Sequence, residues 1–278
     1  MKEVILETLL DSFKLLPFLF VTFLLIELFE HKFSNKSKKI IKKSGKFGPV
    51  LGSLLGIIPQ CGFGVAATNL YITRIISLGT LFSVYLSTSD EMIPLLIAER
   101  APFELIIEIL LIKFILGMVY GFIIDLFIRK KDDINYEICK HDHCDCEHGI
   151  FLASFKHTLS IFLFIIICSF LINIVMHYGG INYLETIFLK DNILGSLLTS
   201  LIGLIPNCAS SVVITELFLN NAISYGALIG GLLTGAGVAI LVLIKENPNR
   251  KESFKIIGLL YLIGTFSGIV IDVIMKLM

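Results

Sequence analysis

The stretches PQCGFG, 59–64, and PNCASS, 206–211, each interrupt a long apolar run with proline, a carboxamide residue and cysteine in that order. Proline ends a helix, because it has no amide proton and its ring collides with the preceding turn. A bend that exposes unpaired backbone groups is tolerated at membrane depth only where it lines a protein cavity or water. The two triplets therefore bear on fold and function together.

The surrounding composition makes membrane depth the right setting. The chain has 278 residues, is 55% hydrophobic, has a mean hydropathy of +0.87 and contains no tryptophan. No soluble domain of this size is so apolar. A helix crossing a bilayer needs about 20 apolar residues. Six stretches qualify: 8–29, 75–97, 103–128, 151–177, 222–244 and 254–276. None alternates as a barrel strand would. The N-terminal MKEVILETLLDSFKLLPF, 1–18, carries Glu3, Glu7, Asp11 and Lys14, and no small-residue cleavage site follows its apolar stretch, so it reads as the first membrane helix and not a removed signal. The net charge is zero and gives no pointer to nucleic acid. The cysteines, Cys61, Cys139, Cys144, Cys146, Cys168 and Cys208, do not form a secreted disulfide pattern.

A shift of 147 residues lays 48–125 over 195–272 without a gap. It pairs Gly48 with Gly195, Ser53 with Ser200, Gly56 with Gly203, Pro59 with Pro206 and Cys61 with Cys208. Beyond the triplets it pairs Thr68 with Thr215, Ser77 with Ser224, Gly79 with Gly226, Glu99 with Glu246, Gly121 with Gly268 and Asp125 with Asp272. Two greasy segments that match by chance agree at leucine and isoleucine, whereas these identities fall on glycine, proline and polar residues. The chain is a duplicated half.

Basic residues set the orientation. The segment 31–46 holds seven lysines, RKKDD begins a second basic loop at 129, and 245–255 forms a third, so these belong on the cytoplasmic side. The linkers 98–103 and 177–192 are poor in basic residues and face outward. This holds if 48–73 and 195–220 are re-entrant hairpins. Each half then has three full spans, and the second half is inverted. The expected fold is an all-α polytopic membrane protein of two inverted repeats, each with three full spans plus a re-entrant or broken helical hairpin. The first repeat is 1–128, a cytoplasmic loop rich in His, Cys and acidic residues is 129–150, and the second repeat is 151–278.

Inverted repeats with interrupted helices mark secondary transporters, whose substrate site lies where the breaks meet. Gln60, Cys61, Asn207 and Cys208 then occupy two tips approaching from opposite sides. The plain alternative is a pair of proline kinks with cysteine as a small apolar residue. STSDE, 87–91, places two carboxylates midway along an apolar span, which is costly and usually marks an ion path. Its counterpart is TGAGV, 234–238. An ion path built from Thr88, Ser89, Asp90, Glu91 and Thr234 beside the thiols, with Ser210 near the second tip, follows. The alternative puts the acids at the solvated end of a short helix. Asp125 and Asp272 read as caps or water-facing groups, Glu108 and Lys113 as a structural pair, and Asn69, Thr215 and Glu216 as cavity-lining or packing residues.

The loop CKHDHCDCEHG, 139–149, interleaves Cys139, His141, Cys144, His143, Cys146 and His148 with Asp142, Asp145 and Glu147. Imidazole and thiolate suit zinc, copper(I), cadmium or trivalent arsenic, and the carboxylates accept harder ions. The spacing fits no structural zinc motif, so the loop reads as a loose capture or sensing site, or as a solvated linker.

GSLLGIIPQCGFG at 52–64, STSDEMIP at 87–94 and GLIPNCASS at 203–211, with the histidine-rich loop, resemble ten-segment heavy-metal exporters. These are also described as arsenic-efflux-like permeases, and some are labelled manganese transporters. The resemblance covers nearly the whole chain. It implies a transport path through Gln60, Cys61, Asn207, Cys208, Asp90 and Glu91, and ten segments if each hairpin counts as two. The expected function is export of manganese, or of a soft ion such as arsenite, zinc or cadmium, by alternating access in the inner (plasma) membrane. No resident cofactor is expected beyond the transported metal, with a proton or sodium as coupling ion. The lipid bilayer is the expected partner, nucleic acid is not, and a homo-oligomer is compatible with the sequence. No phosphate-cradling G-x-x-x-x-G-K-[ST] loop occurs. The rival readings are a membrane thiol–disulfide oxidoreductase relaying electrons through Cys61 and Cys208, and a metal sensor.

Overall fold

The computed structural model describes residues 47–58, 61–89, 92–128, 192–207 and 209–277, together with single helical positions at 17–24 and 155–170. Among the described residues there are ten continuous helices and no strand. They are α1 (Gly48–Gly56), α2 (Cys61–Ile72), α3 (Leu78–Ser87), α4 (Met92–Ala98), α5 (Phe103–Phe127), α6 (Asn192–Gly203), α7 (Ala209–Leu219), α8 (Tyr225–Thr234), α9 (Ala239–Glu246) and α10 (Arg250–Leu277). Each of α3, α4 and α5 begins 147 residues before α8, α9 and α10 respectively, the offset that the sequence identities follow.

Four helical stretches are long and apolar enough to cross a membrane: Leu78–Ala98, Phe103–Phe127, Tyr225–Glu246 and Arg250–Leu277. These correspond to four of the six stretches expected. The other two, 8–29 and 151–177, lie mostly outside the described residues, as do the basic segments 31–46 and 129–150.

The first and third of the four are interrupted. α3 stops at Ser87 and α4 starts at Met92; α8 stops at Thr234 and α9 starts at Ala239. The interrupted stretches are central: the most apolar 18 residues of Tyr225–Glu246 are 89% buried, against 28% for those of Phe103–Phe127. The uninterrupted α5 shows why it lies outside. One face carries Ile106, Ile109, Lys113, Gly117, Gly121 and Ile124, all buried. The other carries Phe103, Ile107, Leu111, Ile115 and Val119, all exposed and apolar, as a lipid-facing surface is.

Close backbone packing holds α3 against α5, and α8 against α10. A Cβ on Gly79 would come within 2.1 Å of the Gly121 carbonyl oxygen, and one on Gly226 within 2.2 Å of the Gly268 carbonyl oxygen. Small residues at such crossings let membrane helices approach closely where no hydrophobic effect drives them together. Serine starts both central helices. Ser77 Oγ accepts from Thr80 N at 3.1 Å and Ser224 Oγ accepts from Ala227 N at 3.1 Å, each filling a donor that the helix leaves unpaired.

α1 runs alongside α3 in the same direction, with Gly48 against Thr80 and Gly56 against Ser87. α2 ends at Ile72, with five residues between it and the start of α3, so the α1 start and the α2 end both lie at the beginning of α3. α6 runs beside α8 in the same way, Gly195 facing Ala227 and Gly203 facing Thr234. The turns leaving α2 and α7 share a left-handed residue, Arg74 at φ 60° and Asn221 at φ 58°. In each the next amide bonds a carbonyl five residues back, Ile75 to Leu70 and Ala222 to Leu217, both at 2.8 Å. Across the halves, α2 packs on α9, α7 on α4, and α3 on α8.

Candidate ion path at two helix breaks

A helix that ends in a buried place leaves carbonyls without amide partners. At the α3 break, hydroxyls add second bonds to carbonyls of the last turn, where Val84 O already accepts from Thr88 N at 3.0 Å, and one reaches the end carbonyl of Ser87. Ser87 Oγ donates to Ser83 O at 2.6 Å, Thr88 Oγ1 to Val84 O at 2.7 Å and Ser89 Oγ to Ser87 O at 3.1 Å. All three residues are buried. At the α8 break, Thr234 Oγ1 lies 2.8 Å from Gly231 O and 2.9 Å from Ser200 O. Thr88, Ser89 and Thr234, expected as cation ligands, therefore use their protons on backbone carbonyls. Their lone pairs remain as acceptors. Asp90 and Glu91, which follow directly, lie outside the described residues.

The two breaks lie against one another, and Lys113 shows it. This lysine on α5 is 1% exposed, and its Nζ donates both to Thr88 O and, at 3.1 Å, to Leu232 O. The expected pairing of Glu108 with Lys113 is corrected: Glu108 is exposed whereas Lys113 points inward to the carbonyl ends of α3 and α8. Five residues apart on a helix, the two do not share a face.

At the second hairpin tip, Asn207 is buried and its carbonyl accepts from Ser210 N at 3.3 Å and Ser210 Oγ at 2.8 Å. Ser210 thus ties the start of α7 to the bend. Cys61 is the first residue of α2, and α7 begins one residue after Cys208. Gln60 and Cys208 lie outside the described residues, as do Cys139, His141, Asp142, His143, Cys144, Cys146 and His148. Among the described residues, no cluster of three His, Cys, Asp or Glu side chains could hold a metal.

Two serines that the repeat pairs, Ser53 on α1 and Ser200 on α6, are wholly buried with hydroxyls lacking a hydrogen-bond partner. They lie beside the α5 and α10 glycines, Gly117 and Gly264, that face the breaks. Their identity across the repeat was the signal that could have marked them. Of the residues expected near the tips, Thr68 Oγ1 shares a 2.5 Å hydrogen bond with Tyr85 OH, and Thr215 Oγ1 donates to Ser211 O, so both serve packing. Asn69 is buried and its Nδ2 has no partner.

The halves are also joined away from the breaks. Arg74 forms a two-pronged pair with Glu252, Nη1 to Oε1 at 3.1 Å and Nη2 to Oε2 at 3.0 Å, while Tyr71 OH donates to the same carboxylate at 2.5 Å. The Glu252 carboxylate raises the Arg74 guanidinium further above its ordinary value, against the opposing effect of burial.

A protein-family model described as "Putative, 10TM heavy-metal exporter" matches the chain over residues 1–195 and 158–277. No curated protein and no solved structure gives a significant match.

Proposed function

Since the chain belongs to the family of ten-span heavy-metal exporters, we propose that it exports a metal or metalloid ion by alternating access between two inverted halves. The observation that carries this reading is the pair of helix breaks, equivalent under the 147-residue repeat and bridged by Lys113. Transporters place their substrate where such interrupted helices meet near the bilayer midplane.

Inversion is supported by which helix ends lie together. Asp125 near the end of α5 bonds Ser77 and Gly79 at the start of α3. Arg74, three residues before Ser77, holds Glu252 in the first turn of α10. α10 thus starts at the end of the bundle where its counterpart α5 finishes. The same end collects the segments following 46, following 128 and around 250, which border or contain the three basic loops. That fits a cytoplasmic placement in a plasma membrane.

In this reading Gln60, Cys61, Asn207, Cys208 and Ser210 line the tips. Thr88, Ser89, Asp90, Glu91 and Thr234 line the breaks, and the loop with Cys139, His141, Asp142, His143, Cys144, Cys146 and His148 collects the ion. Soft thiolates favour cadmium, zinc or arsenite, and the oxygen groups favour manganese. The test loads proteoliposomes with each ion and measures protein-dependent flux for wild type, Asp90→Asn, Cys61→Ser and Cys208→Ser. Loss of manganese flux in Asp90→Asn alone makes the carboxylate a ligand, and loss of cadmium or arsenite flux in the serine variants makes the thiols ligands. Wild-type protein that moves none of these ions sinks the proposal.

A further inference from the structure

Lys113 is a charge that the fold itself does not require. Its counterpart under the repeat, Leu260, is wholly buried, so hydrocarbon fills the equivalent place in the second half. Acidic residues are distributed with the same asymmetry: Asp90 and Glu91 follow the α3 end, whereas Gly237 and Val238 stand at the matching positions. An ammonium this deep in a membrane protein is costly, and such groups persist where they serve an ion pathway.

The acceptors of Lys113 define what it stands in for. Thr88 is the first residue past α3, and Leu232 is in the last turn of α8, so the ammonium sits at two helix C-terminal ends. Carbonyls there are unpaired and carry the negative end of the helix dipole. Backbone carbonyls of this kind are ligands that bare cations accept in exchange for water. Among the described residues the hydroxyls of Ser87, Thr88 and Thr234 crowd the same two ends.

We propose that Lys113 is a tethered resident cation of the transport site. Its ammonium holds the carbonyl ends of α3 and α8 between cycles, and the transported ion enters by displacing it. The inference rests on the exporter reading and narrows it: the substrate is a metal cation, since a neutral metalloid hydroxide has no reason to compete with an ammonium for carbonyl oxygens. Displacement keeps two positive charges from sharing one set of acceptors.

The experiment is calorimetric titration of the full-length protein in detergent with Mn²⁺ and, separately, Cd²⁺. Lys113→Met, checked by thermal melting for a folded state, is expected to bind one of these ions about tenfold more tightly than wild type. Affinity that is unchanged or weaker in the folded variant overturns the proposal. Wild-type protein supplies a second readout that does not depend on the variant's folding. Acetic anhydride labelling of Lys113, read by mass spectrometry, is expected to rise when the bound ion is saturating; unchanged labelling while the ion binds also overturns it. If wild type and variant bind neither ion, the cation site proposed for Lys113 is overturned, and the proteoliposome flux of zinc and arsenite then decides separately whether the exporter reading falls with it.

Discussion

Asp125 and Asp272 make the same two hydrogen bonds at positions 147 residues apart. Asp125 accepts from Ser77 Oγ at 2.7 Å and Gly79 N at 2.8 Å; Asp272 accepts from Ser224 Oγ at 2.6 Å and Gly226 N at 2.8 Å. Each carboxylate sits at the positive N-terminal end of a central helix and orients the serine that caps it. These aspartates fasten the outer helix of each half to the inner one.

Replacing either by asparagine removes the charge and, with the amide oxygen kept on the glycine N–H, turns the acceptor of the serine hydroxyl into a donor. Asp125→Asn and Asp272→Asn are each expected to lose about 1–3 kcal/mol of stability. A melting curve in detergent checks this, and equal Tm values for wild type and both variants would refute it.

The glycines beneath these carboxylates give a second contrast. Gly79→Ala and Gly226→Ala place a methyl against carbonyl oxygens at 2.1 and 2.2 Å, so α5 and α10 must move away. Overpacking of this kind costs about 1–3 kcal/mol. Gly258→Ala meets nothing within 4 Å and removes a helix-interior glycine, so it is expected to be neutral or stabilising by up to about 1 kcal/mol. Expression and Tm of the three variants side by side settle the matter; a Gly258→Ala loss as large as the others would show that helix approach is not the cause.

Much of this architecture was legible because identities at the 147-residue offset fall on residues that geometry constrains. Ser77, Gly79, Gly121 and Asp125 recur as Ser224, Gly226, Gly268 and Asp272, and in each half they meet at one crossing. The breaks between α3 and α4 and between α8 and α9 were not legible as breaks: 75–97 and 222–244 read as full spans, because their interruptions at 88–91 and 235–238 are short and carry no proline, unlike the PQC and PNC tips. Lys113 was misread because sequence proximity offered Glu108, while its acceptors are backbone carbonyls 25 and 119 residues away that carry no side-chain signature. The Arg74 pair with Glu252 spans 178 residues and has no counterpart under the repeat, where Asn221 and Leu105 stand, so pattern could not reveal it.

That pair yields a third prediction. It joins the two halves at one end, its side chains are only 27% and 15% exposed, and its contact is two-pronged, so reversing one charge sets like charges together and costs about 1–3 kcal/mol. Arg74→Glu and Glu252→Arg are each expected to lower Tm and alter the ion flux, and the double exchange to restore part of both. A double exchange no better than either single variant would mean that the charges do not act as a pair.

Thr234 gives the sharpest test of the break itself. Its hydroxyl reaches Gly231 O in its own helix and Ser200 O on α6, so one proton serves two carbonyls at the place where α8 ends. Thr234→Val keeps the shape and strips the donor from Gly231 O and from Ser200 O, the latter retaining only Leu204 N at 3.3 Å, a loss of about 1–3 kcal/mol. Thr234→Ser keeps the hydroxyl and removes only a methyl that presses on Gly264. If the break holds the ion path, valine should weaken flux by raising the ion concentration needed for half-maximal rate, and serine should recover it. If valine lowers Tm while flux per folded molecule stays at the wild-type level, the hydroxyl is structural and the path runs elsewhere.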